Sequence, residues 1–380
     1  MSRKTASWIT ILLAAGILLG LTAADMAAAD RRFSQTENRV LASRPEFGLK
    51  ELFAGEFTAD YETYVTDQFV GRDQWIGLKT RTDMWLGKKD VGGVYLAKDG
   101  GLIERHSASD IGEDRIEQTL KQLQSLTEHC LDTAGIGQVK VMLVPTADNI
   151  QTDKLPDYAD YFDQQPFLQR VSAAVGMQCY VDVFSVMRRH ADEYIYYRTD
   201  HHWTTQGAYY AYEAWAADMG LEAAAFSEES RVQVTEEFLG TLHSRVNIPV
   251  KPDIIEAYQP GGQVQVYYDL SDKARDSLYE EKYLETKNKY GYFLDDNHGF
   301  VQIETGVKNG RTLFVIKDSY ANCFIPFAAQ HYETVCIVDL RYCNISLYGL
   351  IDQQLQEENG DMDVLILYNV IHFLEDFRFF

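Results

Sequence analysis

The sequence predicts an α/β domain built around a mainly parallel, doubly wound sheet. Short runs of aliphatic and β-branched residues recur along the 380-residue chain, and each is long enough for a buried strand. Segments with apolar residues at helical spacing separate these runs. Alternation of this kind is typical of parallel sheets with helices packed on both faces. The composition is 46% hydrophobic, which supplies enough apolar material for one large core or two small ones.

The first 29 residues have the pattern of an export signal. Arg3 and Lys4 precede an apolar stretch from Trp8 to Ala24, and the small residues 27–29 follow. The stretch is slightly shorter than the ~20 residues of a comfortable membrane span. A cleaved signal peptide and a retained membrane anchor therefore both stay open. Because the positive end stays inside, we expect an extracytoplasmic protein, either secreted or anchored to the cell membrane.

Residues 30–60 are polar and rich in turn formers, and they predict a tether that leads into one domain over residues 61–380. Two short strands are expected around the glycine turn at 92–103. Further along, the patterns predict helices at 116–126, 167–175 and Thr204–Met219, and buried strands at Val139–Val144 and Tyr180–Phe184.

Residues 221–310 differ from the rest of the chain because they mix charges, glycines and tyrosines with short strand-like pieces. We expect an insertion or lid here, since a long irregular connection inside a compact domain usually has a function of its own. Three more strands follow in quick order, with apolar helical patterns between them. They are Leu313–Lys317, Val335–Asp339 and Val364–Tyr368.

Charge and cysteine spacing exclude several functions. The net charge is −22, from 57 acidic and 35 basic residues, and without a Lys/Arg cluster the chain should repel nucleic acid. None of the five cysteines has C-x-x-C spacing, which argues against a zinc knuckle or a thioredoxin-type motif. The 24 tyrosines suit ordinary packing and also carbohydrate surfaces.

Chemically useful residues follow the predicted strands, at the sheet edge where ligands bind in open α/β folds. Ser319 comes after the strand 313–317, at a strand-to-helix turn as a nucleophile elbow requires. The next helix would direct N–H groups at the serine, so the Ser319 N–H and its neighbours could hold an oxyanion. The alternative is a serine that only caps a helix.

Asp200 and His202 are the partners expected for this serine. They lie two positions apart, so in an extended segment both side chains point the same way. An aspartate beside a histidine fixes the imidazole tautomer and stabilises its positive form. His201 would then face the other side and be structural, while Trp203 would pack under the turn.

Two alternatives for this segment stay open. One is a capped helix start with buried ring partners. The other is a metal site, because Asp-His-His is rich in ligand types. No second dense cluster of histidines and carboxylates completes such a site in the sequence, so we expect no metal and no cofactor.

The hexapeptide Thr199–Thr204 resembles the signature of the bacterial DHHW proteins, which resemble the alginate O-acetyltransferases of the SGNH hydrolase-like superfamily. The resemblance covers most of the chain. Its other matching segments are Glu37-Asn38-Arg39, Asp67-Gln68-Phe69 with Arg72, Asp99-Gly100 with Leu102-Ile103, Lys154-Leu155-Pro156, Lys317–Asn322, Asp339–Tyr342 and Tyr368-Asn369.

The resemblance implies an SGNH-like (flavodoxin-like) three-layer sandwich with a circularly permuted motif order, because here the Asp/His element precedes the serine. By this resemblance Ser319, His202 and Asp200 form the catalytic triad, and Asn369 takes the place of the oxyanion asparagine. Arg341 stands where the superfamily usually has a glycine. We expect Arg341, Tyr320 and Asn322 to take part in oxyanion or substrate binding.

The implied function is an extracytoplasmic O-acyltransferase or O-acetylesterase that acts on a cell-surface polysaccharide through an acyl-serine. A sugar hydroxyl or water would resolve that intermediate. The family also implies that a membrane acyltransferase partner delivers the acyl donor. The alternative is a non-catalytic polysaccharide-binding or scaffold protein of an envelope assembly.

Overall fold

The computed structural model describes residues 2–34, 39–357 and 361–378. Within these limits the chain forms two compact units, Met1–Lys88 with Ser244–Pro249, and Lys89–His243 with Val250–Phe380. The boundaries predicted at residues 29, 60 and 221–310 stay predictions. Part of the predicted tether and of the first family motif, including Glu37 and Asn38, lies outside the described residues.

The first unit begins with a long apolar helix, α1 (Arg3–Ala27), which could cross a membrane by length and composition, a test that signal sequences also pass. Helices also occupy part of the segment predicted as a tether. The remaining elements before residue 89 are β1 (Phe33–Ser34), β2 (Arg39–Val40), α2 (Leu49–Ala54), α3 (Glu56–Gln68) and α4 (Arg72–Trp85).

From residue 89 onward, strands and helices alternate as the sequence predicts. The strands are β3 (Asp90–Val91), β4 (Val94–Leu96), β5 (Leu102–Glu104), β6 (Ile136–Val144), β7 (Arg231–Phe238), β8 (Asp253–Tyr258), β9 (Val264–Tyr268), β10 (Phe300–Thr305), β11 (Thr312–Lys317), β12 (Thr334–Val338) and β13 (Met362–Asn369). The helices are α5 (Glu113–Asp132), α6 (Ala147–Ile150), α7 (Gln164–Val175), α8 (Val183–Arg189), α9 (Thr205–Asp218), α10 (Thr241–Val246), α11 (Ile325–Ala328), α12 (Leu347–Glu357) and α13 (Val370–Asp376).

A six-stranded sheet in the order β6-β13-β11-β12-β10-β9 forms the centre of the second unit. The four strands β6, β13, β11 and β12 pair in parallel, whereas β10 and β9 are added antiparallel at one side. Every residue of β11, β12 and β13 is buried, as continuous apolar strands require. The predicted mainly parallel α/β fold is confirmed.

Helices cover both faces of this sheet and create two separate cores. Alternate residues of β11 point to opposite faces, so Leu313 and Val315 join one core while Phe314 and Ile316 join the other. The first core packs against α9, and the second packs against α5, α7, α12 and α13. This arrangement is the predicted three-layer sandwich.

The strand predicted at Tyr180–Phe184 is wrong. Tyr180 makes an isolated parallel bridge to Val141 of β6, and α8 then begins at Val183. The reason is Asp182, whose carboxylate accepts the backbone N–H of Ser185 at 3.0 Å and caps the helix. A local side-chain cap outweighs the β-propensity of the surrounding residues.

The segment 221–310, predicted as an insertion or lid, contains four regular strands. Its strands β9 and β10 belong to the central sheet, while β7 and β8 form a separate antiparallel pair. Short 3-10 turns at Glu281–Glu285 and Lys289–Tyr292 lie between β9 and β10. Near the glycine turn at 92–103, a third strand, β3, joins the two that were predicted.

Thr204 caps α9 and so fixes where this helix begins. Its hydroxyl accepts the Gly207 N–H at 3.2 Å and donates to the Tyr194 carbonyl at 2.8 Å. We predict that Thr204→Ala lowers the free energy of unfolding by about 1–2 kcal/mol, because both bonds are lost. Urea denaturation measures this change, with Thr204→Ser as the matched control that keeps the hydroxyl. Equal midpoints for Thr204→Ala and wild type would contradict the capping role.

Candidate active site

Ser319 lies just beyond the end of β11, at the carboxyl edge of the central sheet. It begins a 3-10 turn, and the preceding Asp318 caps that turn by accepting the Tyr320 N–H at 2.9 Å. The capping role that sequence left open for the serine therefore belongs to Asp318. The Ser319 hydroxyl is available for another partner.

That partner is His202. Its Nε2 lies 2.8 Å from the Ser319 Oγ, and its Nδ1 lies 2.5 Å from the Asp200 Oδ1. All three side chains are buried. The spatial arrangement predicted for these residues is confirmed, and their catalytic roles stay a prediction.

The segment Asp200–Trp203, called the DHHW loop below, does not form the extended strand that was expected. An antiparallel bridge between Tyr196 and Trp203 closes a tight loop around residues 197–202. Within the loop, the Asp200 Oδ1 also accepts the backbone N–H of His202 at 3.1 Å. A side chain that bonds the backbone two residues on is an Asx turn, and this turn brings Asp200 and His202 to the same side.

A second segment fixes the other carboxylate oxygen of Asp200. Thr241 donates to the Oδ2 twice, from its backbone N–H at 2.8 Å and from its hydroxyl at 3.0 Å. Burial alone would raise the pKa of Asp200, but the neighbouring His201 and His202 and these hydrogen bonds hold it well below its ordinary value. The carboxylate is thus ionised at neutral pH, as an orienting aspartate must be.

His201 does not point away from the site, so that expectation is wrong. Its ring centroid lies 3.9 Å from that of His202, and its Nδ1 lies 2.9 Å from the Thr241 hydroxyl. Burial, together with the neighbouring His202, lowers the pKa of His201 to about 3, so the ring is neutral at neutral pH. His201 therefore forms a neutral wall beside the His202 imidazole.

Trp203 packs under the turn, as predicted, and it is completely buried. Its indole N–H also donates to the Tyr320 carbonyl at 2.9 Å. The hydrogen bond joins the DHHW loop to the turn that carries Ser319. Trp203 therefore sets the spacing between the two segments that supply His202 and the serine.

The metal alternative can be judged from the same hydrogen bonds. Asp200, His201 and His202 offer ligand atoms that lie within 4.8 Å of one another. Yet both nitrogens of His202, both carboxylate oxygens of Asp200 and the Nδ1 of His201 already have protein partners. A bound metal ion would have to break several of these bonds, so the donor set fits a triad better than a metal site.

Tyr320 and Asn322 form hydrogen bonds that hold the turn that carries Ser319. The Tyr320 N–H is taken by Asp318, and its hydroxyl donates to the His201 carbonyl at 2.5 Å. The Asn322 side chain accepts from Lys317 at 2.8 Å and donates to the Asp296 carbonyl at 3.0 Å. These bonds hold the turn in place, and the predicted oxyanion or substrate contacts of both residues stay untested.

Asn369 and Arg341 lie at the same carboxyl edge as Ser319, which confirms their predicted placement. The Asn369 side chain caps α13 by accepting the His372 N–H at 2.8 Å. The Arg341 guanidinium donates two hydrogen bonds to the Asp339 carboxylate, from its Nε at 2.9 Å and from its Nη2 at 2.7 Å. Their proposed roles toward an oxyanion or substrate stay predictions.

Sequence reasoning missed a second aspartate–histidine pair at this edge. The Asp318 Oδ2 accepts the Asn369 backbone N–H at 3.0 Å and lies 2.9 Å from the His372 Nδ1. Burial would lower the pKa of His372, but the Asp318 carboxylate outweighs burial and raises it. Through these two contacts, Asp318 joins the end of β11 to the end of β13 and to α13. Asp318 was visible in sequence, whereas its partner 54 positions later in the chain was not.

A buried lysine was also missed. Lys317 ends β11, and its ammonium donates to Asn297 at 2.9 Å and to Asn322 at 2.8 Å, with the Asp339 carboxylate at 3.3 Å. Burial lowers the pKa of this lysine. A lysine at the end of an otherwise apolar strand is a signal that could have predicted this network.

The fold and this arrangement define a three-layer α/β sandwich protein with a Ser-His-Asp cluster at the carboxyl edge of its sheet. The family comparison is specific: the DHHW protein family matches residues 129–338, so the chain belongs to the DHHW family. A comparison with curated proteins finds no match.

Several solved structures are similar to this chain. A DHHW family protein from Eubacterium siraeum is 24% identical with a TM-score of 0.62, covering 75% of this chain and 93% of that one. Bacillus cereus PatB1 with a sulfonyl adduct is 20% identical with a TM-score of 0.59, covering 74% and 95%. The O-acetyltransferase domain of Pseudomonas putida AlgJ is 13% identical with a TM-score of 0.44, covering 74% and 92%. At these identities, the first two establish the shared fold.

Gly240 lies beside Asp200, and a side chain at position 240 would clash with that aspartate. An added Cβ would lie 2.3 Å from both the Cβ and the Oδ2 of Asp200. We predict that Gly240→Ala displaces Asp200 from His202 and lowers Ser319-dependent turnover of an aryl acetate by about 100-fold. Circular dichroism would confirm that the variant folds.

The matched control is Gly112→Ala, because an added Cβ at that position meets no atom within 4 Å. The control should retain wild-type turnover. Wild-type turnover by Gly240→Ala itself would show that the site tolerates movement of Asp200.

Proposed function

We propose that this chain is an SGNH-type serine O-acyltransferase or O-acetylesterase that works outside the cytoplasm on a cell-surface polysaccharide. The observation that carries the proposal is the continuous hydrogen-bonded row from the Ser319 Oγ through His202 to Asp200. A row of this kind supplies a nucleophile, a base and an orienting anion in the order that acyl transfer needs.

In the proposed reaction, the Ser319 Oγ attacks the carbonyl carbon of an acyl ester while its proton passes to the His202 Nε2. The tetrahedral intermediate collapses, and His202 returns the proton to the leaving alkoxide. An acyl-serine and a free alcohol result. A sugar hydroxyl or water then loses its proton to His202 and attacks the acyl carbon. The bond from this carbon to the Ser319 Oγ breaks, and His202 returns the proton to Oγ, which regenerates Ser319. Asp200 stays ionised throughout and stabilises the imidazolium.

The oxyanion of this reaction needs a donor next to Ser319. The Tyr320 N–H, which sequence offered as one donor, is already bonded to the Asp318 carboxylate. We therefore assign the oxyanion contact to the backbone N–H of Ser319 itself, with Asn369 as the second donor implied by the family resemblance.

The apolar helix α1 supports a location outside the cytoplasm, because such a helix serves either as a signal or as an anchor. An acyl donor must then reach the enzyme on the outer side of the membrane. We propose that a membrane acyltransferase partner delivers it and that a polysaccharide hydroxyl receives it.

The triad makes a graded set of predictions for aryl acetate turnover. Ser319→Ala should abolish acyl-serine formation, and His202→Ala should be nearly as severe because triad members act as a unit. Asp200→Asn should lower the rate by about 10⁴, since it favours the wrong histidine tautomer. Turnover is followed against Ser319→Ala, and mass spectrometry of the stalled enzyme locates the acetyl group.

The reactivity of Ser319 can also be tested with a sulfonyl fluoride, a choice suggested by the sulfonyl adduct described for PatB1. We expect a sulfonyl mass increase on Ser319 in the wild type and none in His202→Ala. If the wild type and Ser319→Ala turn over the aryl acetate equally and Ser319 is not labelled, the enzyme proposal is wrong. The polysaccharide-binding or scaffold alternative is then favoured.

A further inference from the structure

Tyr290 is the residue outside the triad that lies flat against its histidine. It belongs to the 3-10 turn Lys289–Tyr292, between β9 and β10. Its ring stacks on the His202 imidazole with 3.8 Å between the centroids and an angle of 14° between the planes. Tyr290 is buried. The contact thus covers one face of the imidazole and shields it from water.

The same side chain also reaches the nucleophile. The Tyr290 hydroxyl donates to the backbone carbonyl of Ser319 at 3.1 Å and lies 3.4 Å from the Cys323 Sγ. Burial raises the pKa of this hydroxyl well above its ordinary value, so it keeps its proton and acts as a donor. Tyr290 therefore contacts His202 through its ring and the Ser319 backbone through its hydroxyl.

We propose that Tyr290 is a positioning residue for His202, an assignment that rests on the proposed role of His202 as the base. Asp200 and Ser319 bond the two ring nitrogens and thereby fix directions within the imidazole plane. Neither bond prevents the ring from tilting about the line that joins them. The stacked Tyr290 ring removes this freedom, and its electron-rich face favours the imidazolium that forms as the proton arrives.

The backbone that follows Tyr290 supports a fixed position. Leu294, Asp295 and Asp296 adopt φ values of 55°, 55° and 72°, in the left-handed region that residues with side chains seldom occupy. Such a conformation persists only where the surroundings determine it strongly. Here Asp295 pairs with Lys282 and with Arg275.

The backbone at 294–296 is also bonded to the turn that carries Ser319, because the Asp296 carbonyl accepts the Asn322 side chain at 3.0 Å. The backbone next to Tyr290 is thus bonded to the turn that carries Ser319. This arrangement fits a positioning role better than a mobile covering loop.

The test compares three variants in aryl acetate turnover. Tyr290→Leu removes the stack and the hydroxyl, whereas Tyr290→Phe keeps the stack alone. Tyr292→Leu is the matched control, since Tyr292 lies on the same turn but stacks on Tyr279, with 5.0 Å between the centroids. We expect Tyr290→Leu to lower kcat about 100-fold with KM unchanged. Tyr290→Phe should keep most of the activity, and Tyr292→Leu should match the wild type.

A proton NMR signature separates positioning from general loss of structure. The Nδ1 proton that His202 shares with Asp200 should give a far-downfield resonance in the wild type and in Tyr290→Phe. In Tyr290→Leu the resonance should broaden or vanish while circular dichroism is unchanged. Should Tyr290→Leu fail to fold, Tyr290→Met takes its place because a flexible methionine fills irregular space.

Wild-type kcat in Tyr290→Leu, or equal losses in Tyr290→Phe and Tyr290→Leu, would overturn the positioning role. Absence of Ser319-dependent turnover in the wild type is a different result, because it removes the proposed function itself. The two failures are therefore distinguishable in one set of measurements.

Discussion

The Asp318 carboxylate at the end of β11 is the interaction on which the candidate site depends. One oxygen caps the turn that carries Ser319, and the other bonds the backbone of Asn369 and the His372 ring. A completely buried carboxylate is costly unless every such bond is made. The donors to Asp318 come from the end of β13 and from the segments that follow β11 and β13, which are neighbouring strands. Their hydrogen bonds therefore fix the position of Ser319 relative to the sheet.

The DHHW loop supplies the other half of the site, and all four of its residues make contacts there. Asp200 is fixed by Thr241, and His202 bridges Asp200 and Ser319. The His201 ring lies beside the His202 ring, while the Trp203 indole donates to the Tyr320 carbonyl in the turn after the serine. The side chains of the loop thus form hydrogen bonds to two other segments, the one at 240–241 and the turn that carries Ser319.

Much of the fold was predictable because it rests on local patterns. The strands β6, β11, β12 and β13 are continuous apolar runs, and α9 follows a clear threonine cap. Prediction failed at Tyr180–Phe184, where Asp182 caps a helix inside an apolar run. For the site, the motif residues were predictable by type and position. Tyr290 was not, because its contact with His202 joins residues far apart in sequence and no spacing encodes it.

Burial of the triad bears on the choice between transfer and hydrolysis under the proposed function. Ser319 and His202 are each only 6% exposed, and Tyr290 covers one face of the imidazole. An acyl group on Ser319 would therefore be largely shielded from bulk water. A sugar hydroxyl held by binding contacts gains a large effective concentration over water excluded in this way. Under the proposed function, the contacts that Tyr290 and His201 make with the His202 ring thus favour an acceptor that is bound over one that diffuses in.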